Sequence, residues 1–333
     1  MTRFYLLSLL SCIWFVTLSA CSDSAQPGSL TVLLEAEDVI VNGLQAGDEV
    51  SNIRDGWSVT FDKYIVGVGD IEVHPYNNDQ AIVRAPDLMV VDLTQVPKSG
   101  LELWQIEDLS PGSWHFNYVT TGALHGGIRH EASVEKADFD AMVKNDWTYL
   151  IEGTMSQPNG QSCPPKSLAS PGDRLPNGET SGDGIEPNDC YDAASVDFRF
   201  EVPAETIFTL CNIDGLDGFS IASQANSNVA ITIHGDHPFF NGFPEGDEGG
   251  VERLAQWLAD SDLNLDGTVT IDELEKIAPA DLPVIDDRYQ LGGSPIEELN
   301  TMRDYLIGQL KTQGHFQGEG ACTTDGKEHN HPH

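Results

Sequence analysis

A strict alternation of apolar and charged residues in the middle of the chain constrains the fold more than any other feature. Residues 196–202 read Val-Asp-Phe-Arg-Phe-Glu-Val. Because successive side chains of a β-strand point to opposite faces of a sheet, this pattern predicts a strand with one buried face and one solvated face. Val229, Ile231 and Ile233 recur at the same spacing and predict a second strand of this kind.

The rest of the first two-thirds of the chain is also typical of strands. Segments rich in β-branched and aromatic residues are separated by turns, and the chain contains 32 Gly and 18 Pro. These segments are 31–37, 57–74, 81–93, 114–119 and 147–153. One short helix is expected at 136–144, where Phe139, Met142 and Val143 share a face. We therefore predict a β-rich, β-sandwich-like domain over residues 30–246.

From about residue 247 the apolar spacing changes to that of a helix. Apolar residues between 251 and 258 recur at i, i+3, i+4 and i+7. A second helix is expected at 271–277, and a third from the capping sequence Ser-Pro-Ile-Glu at 294–297 to about residue 314. A helical region over 247–322 thus follows the β domain, and the fold class is α+β overall.

Between the first two of these helices lies an acidic segment, 262–273, which reads Asp-Leu-Asn-Leu-Asp-Gly-Thr-Val-Thr-Ile-Asp-Glu. This segment, here called the calcium loop, resembles the EF-hand loop at every position. Gly267 permits the sharp turn, and Val269 is at the apolar position that usually packs between paired loops. The resemblance implies oxygen ligands for Ca²⁺ from Asp262, Asn264, Asp266, Thr268 through its backbone carbonyl, Thr270 and Glu273.

EF-hand loops usually occur in pairs, but the sequence contains no second complete loop. The acidic, Gly-rich segment 173–189 lacks the ligand spacing. We therefore expect a structural or weak calcium site rather than a sensor, with a dissociation constant of roughly 10⁻⁶ to 10⁻³ M. The alternative is that the segment is only a solvated acidic turn between helices.

The first 20 residues indicate export from the cytoplasm. Arg3 precedes an apolar run that is too short and wrongly flanked for a membrane-spanning helix, so residues 1–20 are expected to be a signal peptide. The run ends in Leu-Ser-Ala-Cys, which resembles the bacterial lipobox and implies a lipid on Cys21 and a flexible tether over 21–29. Ser22, directly after the lipidated residue, favours the outer membrane. The alternative is an ordinary cleavage site with a chance cysteine.

Four further cysteines are expected to form two disulfides in an oxidising compartment. They allow three pairings. We favour Cys163 with Cys190, because these two flank a Pro- and Gly-rich loop near 157–193, and Cys211 with Cys322. None of the four has zinc-finger spacing.

The chain is strongly acidic, with 53 Asp and Glu against 17 Lys and Arg and a formal net charge of −36. Because binding to phosphates requires clustered basic residues, this balance argues against nucleic acid as a partner. The sequence also lacks Gly-x-Ser-x-Gly, His-Glu-x-x-His and phosphate-binding Gly-rich motifs. A non-enzymatic function is therefore favoured, although a dispersed catalytic triad needs no local motif.

Among the ten histidines, His234 and His237 stand out. His234 ends a predicted strand, and Gly235 lets the chain turn so that both imidazoles can face one Zn²⁺ or Cu²⁺ ion. Three other histidines are candidates to complete such a site, namely His115, His125 and His130. The alternative is that all of these side chains only make hydrogen bonds in turns and at the surface. The His-rich segment 323–333 is expected to be a disordered tail that chelates metal weakly.

Four segments together resemble a group of bacterial EF-hand lipoproteins: the lipobox, residues 233–240, the calcium loop and residues 314–322. The resemblance implies no activity. Three functions stay open: a calcium-binding, lipid-anchored envelope protein in which calcium organises a binding surface, a periplasmic transition-metal binder using a His cluster, and a surface adhesion or assembly module. The membrane is the expected partner, through the lipid on Cys21. A protein partner is also possible, but the sequence does not identify one.

Overall fold

The regular structure of the chain is mostly β-strand. The computed structural model describes residues 26–77, 81–165, 167–169, 190–243, 251–283, 287–289, 291, 298–324 and 327–328. The expected signal peptide, Cys21, most of the loop between Cys163 and Cys190, the predicted capping sequence at 294–297 and most of the tail lie outside these residues.

The strands are β1 (Gly28–Ala36), β2 (Ser58–Pro75), β3 (Val83–Arg84), β4 (Met89–Asp92), β5 (Leu101–Leu109), β6 (Gly112–Thr120), β7 (Ile128–Arg129), β8 (Tyr149–Ser156), β9 (Gln161–Ser162), β10 (Tyr191–Asp192), β11 (Ser195–Val202), β12 (Thr206–Ile213), β13 (Leu216–Asp217), β14 (Phe219–Ile221), β15 (Asn226–Ile233), β16 (Thr268–Thr270), β17 (Gly314–Phe316), β18 (Ala321–Thr324) and β19 (Lys327–Glu328). Both alternating segments are confirmed as strands, β11 and β15. Along β11 the apolar residues are buried and most of the charged residues between them are exposed.

The α-helices are short: α1 (Asp38–Asn42), α2 (Lys136–Asn145), α3 (Gln256–Ala259), α4 (Ile271–Leu274) and α5 (Met302–Leu310). Single 3-10 turns occur at Leu93–Gln95, Ala123–His125, His237–Phe239, Pro279–Asp281 and Asp287–Tyr289. The helix expected at 136–144 is present as α2.

The C-terminal helices are shorter than the apolar spacing predicts. Residues 251–254 precede α3 without forming a helical turn, because the Arg253 carbonyl accepts from the Arg54 N–H at 2.8 Å and the Leu254 N–H donates to the Phe239 carbonyl at 2.7 Å. These backbone bonds to other segments replace helical ones. The third helix begins only at Met302, where the Thr301 hydroxyl accepts from the Asp304 N–H. Among the described residues, the long helices that usually flank an EF-hand loop are absent.

The strands form two main sheets and one two-stranded ribbon, β9–β10. The larger sheet has the central order β16-β11-β8-β2-β6-β12-β18-β19, and the smaller has the order β17-β15-β1-β5. The long strand β2 pairs with β8 and β6, so it forms the middle of the larger sheet. In the smaller sheet β1 and β15 run parallel, which brings the ends of both strands to one edge.

One hydrophobic core joins both sheets and the C-terminal region. It includes Leu30 of β1, Val66 of β2 and Leu306 of α5, all essentially fully buried. The rings of Phe116 in β6 and Phe316 in β17 lie 5.3 Å apart, which brings the two sheets into contact. The C-terminal region also contributes β16, β17 and β18 to the two sheets, so the core continues past the expected domain boundary near residue 246.

Both disulfides form with the predicted pairing. Cys163 is bonded to Cys190, and Cys211 of β12 is bonded to Cys322 of β18. The second bond joins two strands that also pair side by side in the larger sheet. It therefore fastens the end of the described chain to the β body.

A search of the described helices finds none with the length and apolar character needed to cross a membrane.

Candidate metal sites

The first half of the calcium loop is held by its own side chains. The Asp262 carboxylate accepts from the Gly267 N–H at 2.9 Å and from the Asp266 N–H at 3.2 Å. Asn264 Oδ1 accepts from the Asp266 N–H at 2.8 Å, and Asp266 Oδ1 accepts from the Thr268 N–H at 2.9 Å. Gly267 has φ of +85°, a left-handed conformation that glycine adopts without strain. These bonds bring the oxygens at the first, third and fifth positions of the loop together.

Glu273 closes the loop from the other end. Its side chain is buried, and one carboxylate oxygen accepts from the Thr270 N–H at 2.9 Å and the Thr270 hydroxyl at 2.8 Å. The other oxygen reaches back to the N–H groups of Leu263, at 3.0 Å, and Asn264, at 3.3 Å. The last proposed ligand thus lies against the start of the loop, near Asp262.

The electrostatics of the calcium loop are unfavourable for carboxylates alone. Burial, together with the nearby charges of Glu273 and Asp266, raises the pKa of Asp262 to about 7, although the N–H bond from Gly267 opposes this shift. Ionisation of Asp262 is therefore costly beside the two other carboxylates. A bound cation would reverse this cost, because it favours the charged form of every carboxylate around it.

The calcium loop contacts the sheet rather than a second loop. Its residues Thr268–Thr270 form β16, which pairs in parallel with Asp197–Arg199 of β11. Val269 lies opposite Phe198 and has no exposed surface. The apolar position that would pack against another EF-hand loop is therefore covered by the edge of the larger sheet.

The structure also brings three histidines together in the interior. His234, His237 and His315 are 6%, 1% and 1% exposed, and each offers a ring nitrogen within 4.8 Å of the others. We call these three residues the histidine cluster. A group of this kind could hold a metal ion.

Two distant segments of the chain position the histidine cluster. His234 directly follows β15, and its N–H donates to the Gln313 carbonyl at 2.9 Å. His237 begins the 3-10 turn that comes next. His315 is the middle residue of β17, which pairs antiparallel with β15, and its ring stacks on that of His234 with 3.9 Å between centroids.

Hydrogen bonds fix the tautomers of two of the rings. The Thr312 hydroxyl donates its proton to the Gln309 carbonyl at 2.8 Å, so at 2.7 Å it accepts from His237 Nδ1–H. The lone pair of His237 is then on Nε2. His234 Nε2–H donates to the Gly318 carbonyl at 3.2 Å, which leaves the lone pair of His234 on Nδ1.

Two carboxylates and one guanidinium group lie beside the histidine cluster. Glu37 Oε2 is 3.9 Å from His234 Nδ1 and accepts from the Gly235 N–H at 3.1 Å. Burial, together with the nearby charge of Asp236, raises the pKa of Glu37 to about 7. Asp236 is itself buried and paired with the Arg253 guanidinium. Glu37, His234 and Asp236 form a second group of mutually close ligand atoms.

The other histidines proposed from the sequence lie elsewhere. His115 of β6 is opposite His74 of β2, and its ring stacks on Tyr76 at 3.9 Å. His130 Nδ1 is hydrogen-bonded to the Ser133 hydroxyl at 2.7 Å. The side chain of His125 is outside the described part of the chain. Neither His115 nor His130 belongs to a metal-ligand group among the described residues.

His315 is the site residue that sequence reasoning missed. It lies in the segment 314–322, which the resemblance to bacterial EF-hand lipoproteins singled out, but nothing local connects that segment with His234. The strand β17 has only three residues, so the sequence around His315 shows no alternation of apolar residues that would predict a strand.

No protein-family model, no curated protein and no solved structure matches this chain.

Proposed function

We propose that the protein is a calcium-binding, lipid-anchored protein of the bacterial cell envelope, in which Ca²⁺ has a structural role. The ion would bind in the calcium loop and hold the C-terminal segment on a β-sandwich-like body. The observation that carries this proposal is the hydrogen-bond pattern within the loop, which directs Asp262, Asn264, Asp266 and Glu273 toward one another.

The donor atoms favour calcium over other ions. All six proposed ligands are oxygens, and Ca²⁺ takes six to eight oxygen ligands in flexible geometry. Mg²⁺ requires a smaller octahedral shell and retains water, so it should substitute poorly. Zn²⁺ and Cu²⁺ prefer nitrogen or sulfur donors, which the calcium loop lacks.

The contacts around the loop support a structural role. On one side, α3 ends at Asp260, whose Oδ1 accepts from the Cys163 N–H at 2.6 Å, next to the first disulfide. On the other side, α4 leads to Ile277, whose carbonyl accepts from the Met302 N–H at 2.8 Å at the start of α5. With β16 paired to β11, an ordered loop links three parts of the molecule. Calcium would stabilise all three together.

The proposed location follows from the sequence alone. The resemblance to a lipobox supports a lipid on Cys21, and several acyl chains on one residue suffice for stable anchoring. The expected tether would then end at residue 27, just before β1 begins, and would place the folded body next to the outer membrane. Two disulfides fit an oxidising compartment such as the periplasm or cell surface.

Thermal unfolding with and without calcium tests the proposal. Binding to the folded state alone stabilises by about 2.7 kcal/mol at a hundredfold excess over the dissociation constant, so the Tm should rise with Ca²⁺ and fall with a chelator. Glu273→Gln removes the carboxylate that closes the loop and should abolish most of this response.

Asp272→Asn is the matched control. Asp272 is the exposed neighbour of Glu273 and has no ligand position in the loop, so the substitution also removes one negative charge but should leave the calcium response nearly intact. A Tm that is indifferent to millimolar Ca²⁺, together with no heat of binding in calorimetry, would contradict the proposal.

A further inference from the structure

We propose that the histidine cluster is a closed site for one divalent transition-metal ion of the zinc and copper class, bordered on the His234 side by the carboxylates of Glu37 and Asp236. The site is distinct from the calcium loop in residues, donor atoms and ligand chemistry. It requires His315, which lies far along the chain from His234 and His237.

The positions of the ring nitrogens are close to those of a metal site. On a tetrahedral ion with metal–nitrogen distances near 2.0 Å, two ligand nitrogens lie roughly 3.3 Å apart. One nitrogen of each ring already lies within 4.8 Å of one nitrogen of each of the other two rings. Side-chain rotations would close the remaining gap, because the pairing of β17 with β15 already holds His315 beside the end of β15.

The tautomers are those that a metal ion needs. A histidine that binds a metal through one nitrogen typically donates the other N–H to a carbonyl, carboxylate or hydroxyl, which fixes the ring orientation. His237 does this toward Thr312, and His234 does it toward the Gly318 carbonyl. In both rings the hydrogen-bonding partner leaves the second nitrogen as the electron-pair donor.

Two carboxylates beside His234 would compensate the charge of a divalent ion. Glu37 Oε2 lies 3.9 Å from His234 Nδ1, the nitrogen that carries the lone pair. Asp236 belongs to the same group of close ligand atoms. Its Oδ2 accepts two hydrogen bonds from Arg253, whereas its buried Oδ1 has no hydrogen-bonding partner among the described residues.

The donor set excludes a second calcium ion as the occupant. Imidazole nitrogens suit Zn²⁺ and Cu²⁺, whereas Ca²⁺ takes oxygen ligands. The burial of all three rings and their origin in two distant segments indicate a structural ion that fastens β17 to the end of β15 and to the 3-10 turn at His237, rather than an open catalytic site.

Metal analysis of the full chain tests this site. Substitution of the three histidines in the tail first removes adventitious metal binding there. The parent carries His329→Ala, His331→Ala and His333→Ala, is purified without a tag, and is titrated in separate arms with Zn²⁺ and with Cu²⁺ against a chromophoric chelator. We expect one equivalent of metal per chain. Because Cu²⁺ binds most nitrogen sites more tightly than Zn²⁺, the metal content of the protein as isolated identifies the ion. Co²⁺ in place of Zn²⁺ should give the intense visible bands of a tetrahedral site.

Three variants of this parent locate the ligands. His237→Gln and His315→Gln should each weaken binding by more than about 100-fold, and Thr312→Val, which removes only the hydrogen-bond partner of His237, should weaken it by about 10- to 100-fold. His130→Gln removes a histidine outside the cluster and should have no effect. A retained calcium-induced Tm shift, or an unchanged circular dichroism spectrum, shows that each variant is folded.

Two results would overturn the proposal. One is a parent that binds less than a tenth of an equivalent of every ion tested, which would mean that the three histidines form only a buried polar network. The other is one-to-one binding that both His315→Gln and Thr312→Val leave unchanged. Because the parent measurement needs no variant of the cluster, the proposal can fail even if His237→Gln or His315→Gln does not fold.

Discussion

The calcium loop and the histidine cluster bring ligand atoms together in opposite ways. The loop takes all its candidate ligands from residues 262–273, and most of its hydrogen bonds join residues a few positions apart. The cluster takes residues from positions 234, 237 and 315, which meet only because β17 pairs with β15. The first arrangement can be read from spacing in the sequence. The second depends on strand order, so it is sensitive to anything that holds the end of the chain in place.

The same contrast separates the environments of the two candidate sites. The calcium loop uses oxygen donors and contributes the edge strand β16 to the larger sheet. The histidine cluster uses nitrogen donors and lies at one end of the smaller sheet, near the half-buried Glu37 and the buried polar side chains of Asp236 and Gln313. Calcium would thus stabilise a local turn against the β body, whereas a transition metal would stabilise the contact between two segments that are far apart in the chain.

Loss of the disulfide between Cys211 and Cys322 should have the largest effect and should affect the two sites unequally. Closure of a loop of about 100 residues stabilises by about 4.7 kcal/mol in the chain-entropy model, and this bond spans 111 residues. Cys211→Ser with Cys322→Ser should therefore lower the free energy of unfolding by several kcal/mol. It should weaken metal binding at His315 more than calcium binding, because β18 follows β17.

Denaturant unfolding and metal titration of that double variant are the measurements. Cys163→Ser with Cys190→Ser is the control, since this disulfide spans only 27 residues and should cost less in the same model. Equal losses of affinity at both sites in the first variant would contradict the comparison.

Val269→Ala should have the next largest effect and should act on the calcium loop. Val269 has no exposed surface and lies opposite Phe198 across the pairing of β16 with β11. Removal of two buried carbon atoms should cost about 2 kcal/mol, from lost apolar burial and the cavity that remains. Because the strand belongs to the loop, the calcium dissociation constant should also rise, which isothermal titration calorimetry measures. Unchanged calcium affinity in a destabilised variant would show that the sheet does not support the loop.

Gly267→Ala should have a smaller effect at the turn of the same loop. A side chain at φ of +85° costs roughly 1–2 kcal/mol in the folded state. Gly215→Ala is a matched control, because Gly215 has φ of +71° and open space around its Cα, far from the loop in sequence. Both variants should lose similar stability without calcium, but only Gly267→Ala should reduce the calcium-induced rise in Tm. A similar reduction in both would show that the turn is not specific to calcium binding.

The smallest expected effect is the coupling between the two sites. The carboxylates of Asp262 and Glu273 accept from N–H groups within the calcium loop, whereas His234 bonds to Gly318 and His237 to Thr312. Effects at independent sites usually add within about 0.5 kcal/mol. Glu273→Gln should therefore change the affinity of the histidine cluster for Zn²⁺ or Cu²⁺ by less than about twofold, as chelator competition measures. A tenfold change would mean that calcium organises both sites.

The sequence by itself determined the features that depend on neighbouring residues. The alternation of apolar residues along the chain predicted β11 and β15. The positions of Cys163 and Cys190 on either side of a loop predicted one disulfide, and the two remaining cysteines then formed the other. The spacing of the proposed calcium ligands could also be recognised in the sequence, because the side chains of this twelve-residue loop bond to backbone N–H groups of the same loop. Helix spacing was less reliable, since the backbone of residues 251–254 bonds to Arg54 and Phe239 instead of forming a helical turn.

Only the tertiary structure decided which surfaces and distant residues meet. It placed Val269 against β11, so that the sheet edge covers the face that a second loop would otherwise cover. It also put His315, rather than His115 or His130, beside His234 and His237. The physical reason is that strand pairing and core packing join segments far apart in the chain. Their free energy depends on the whole set of contacts, and no local spacing records it.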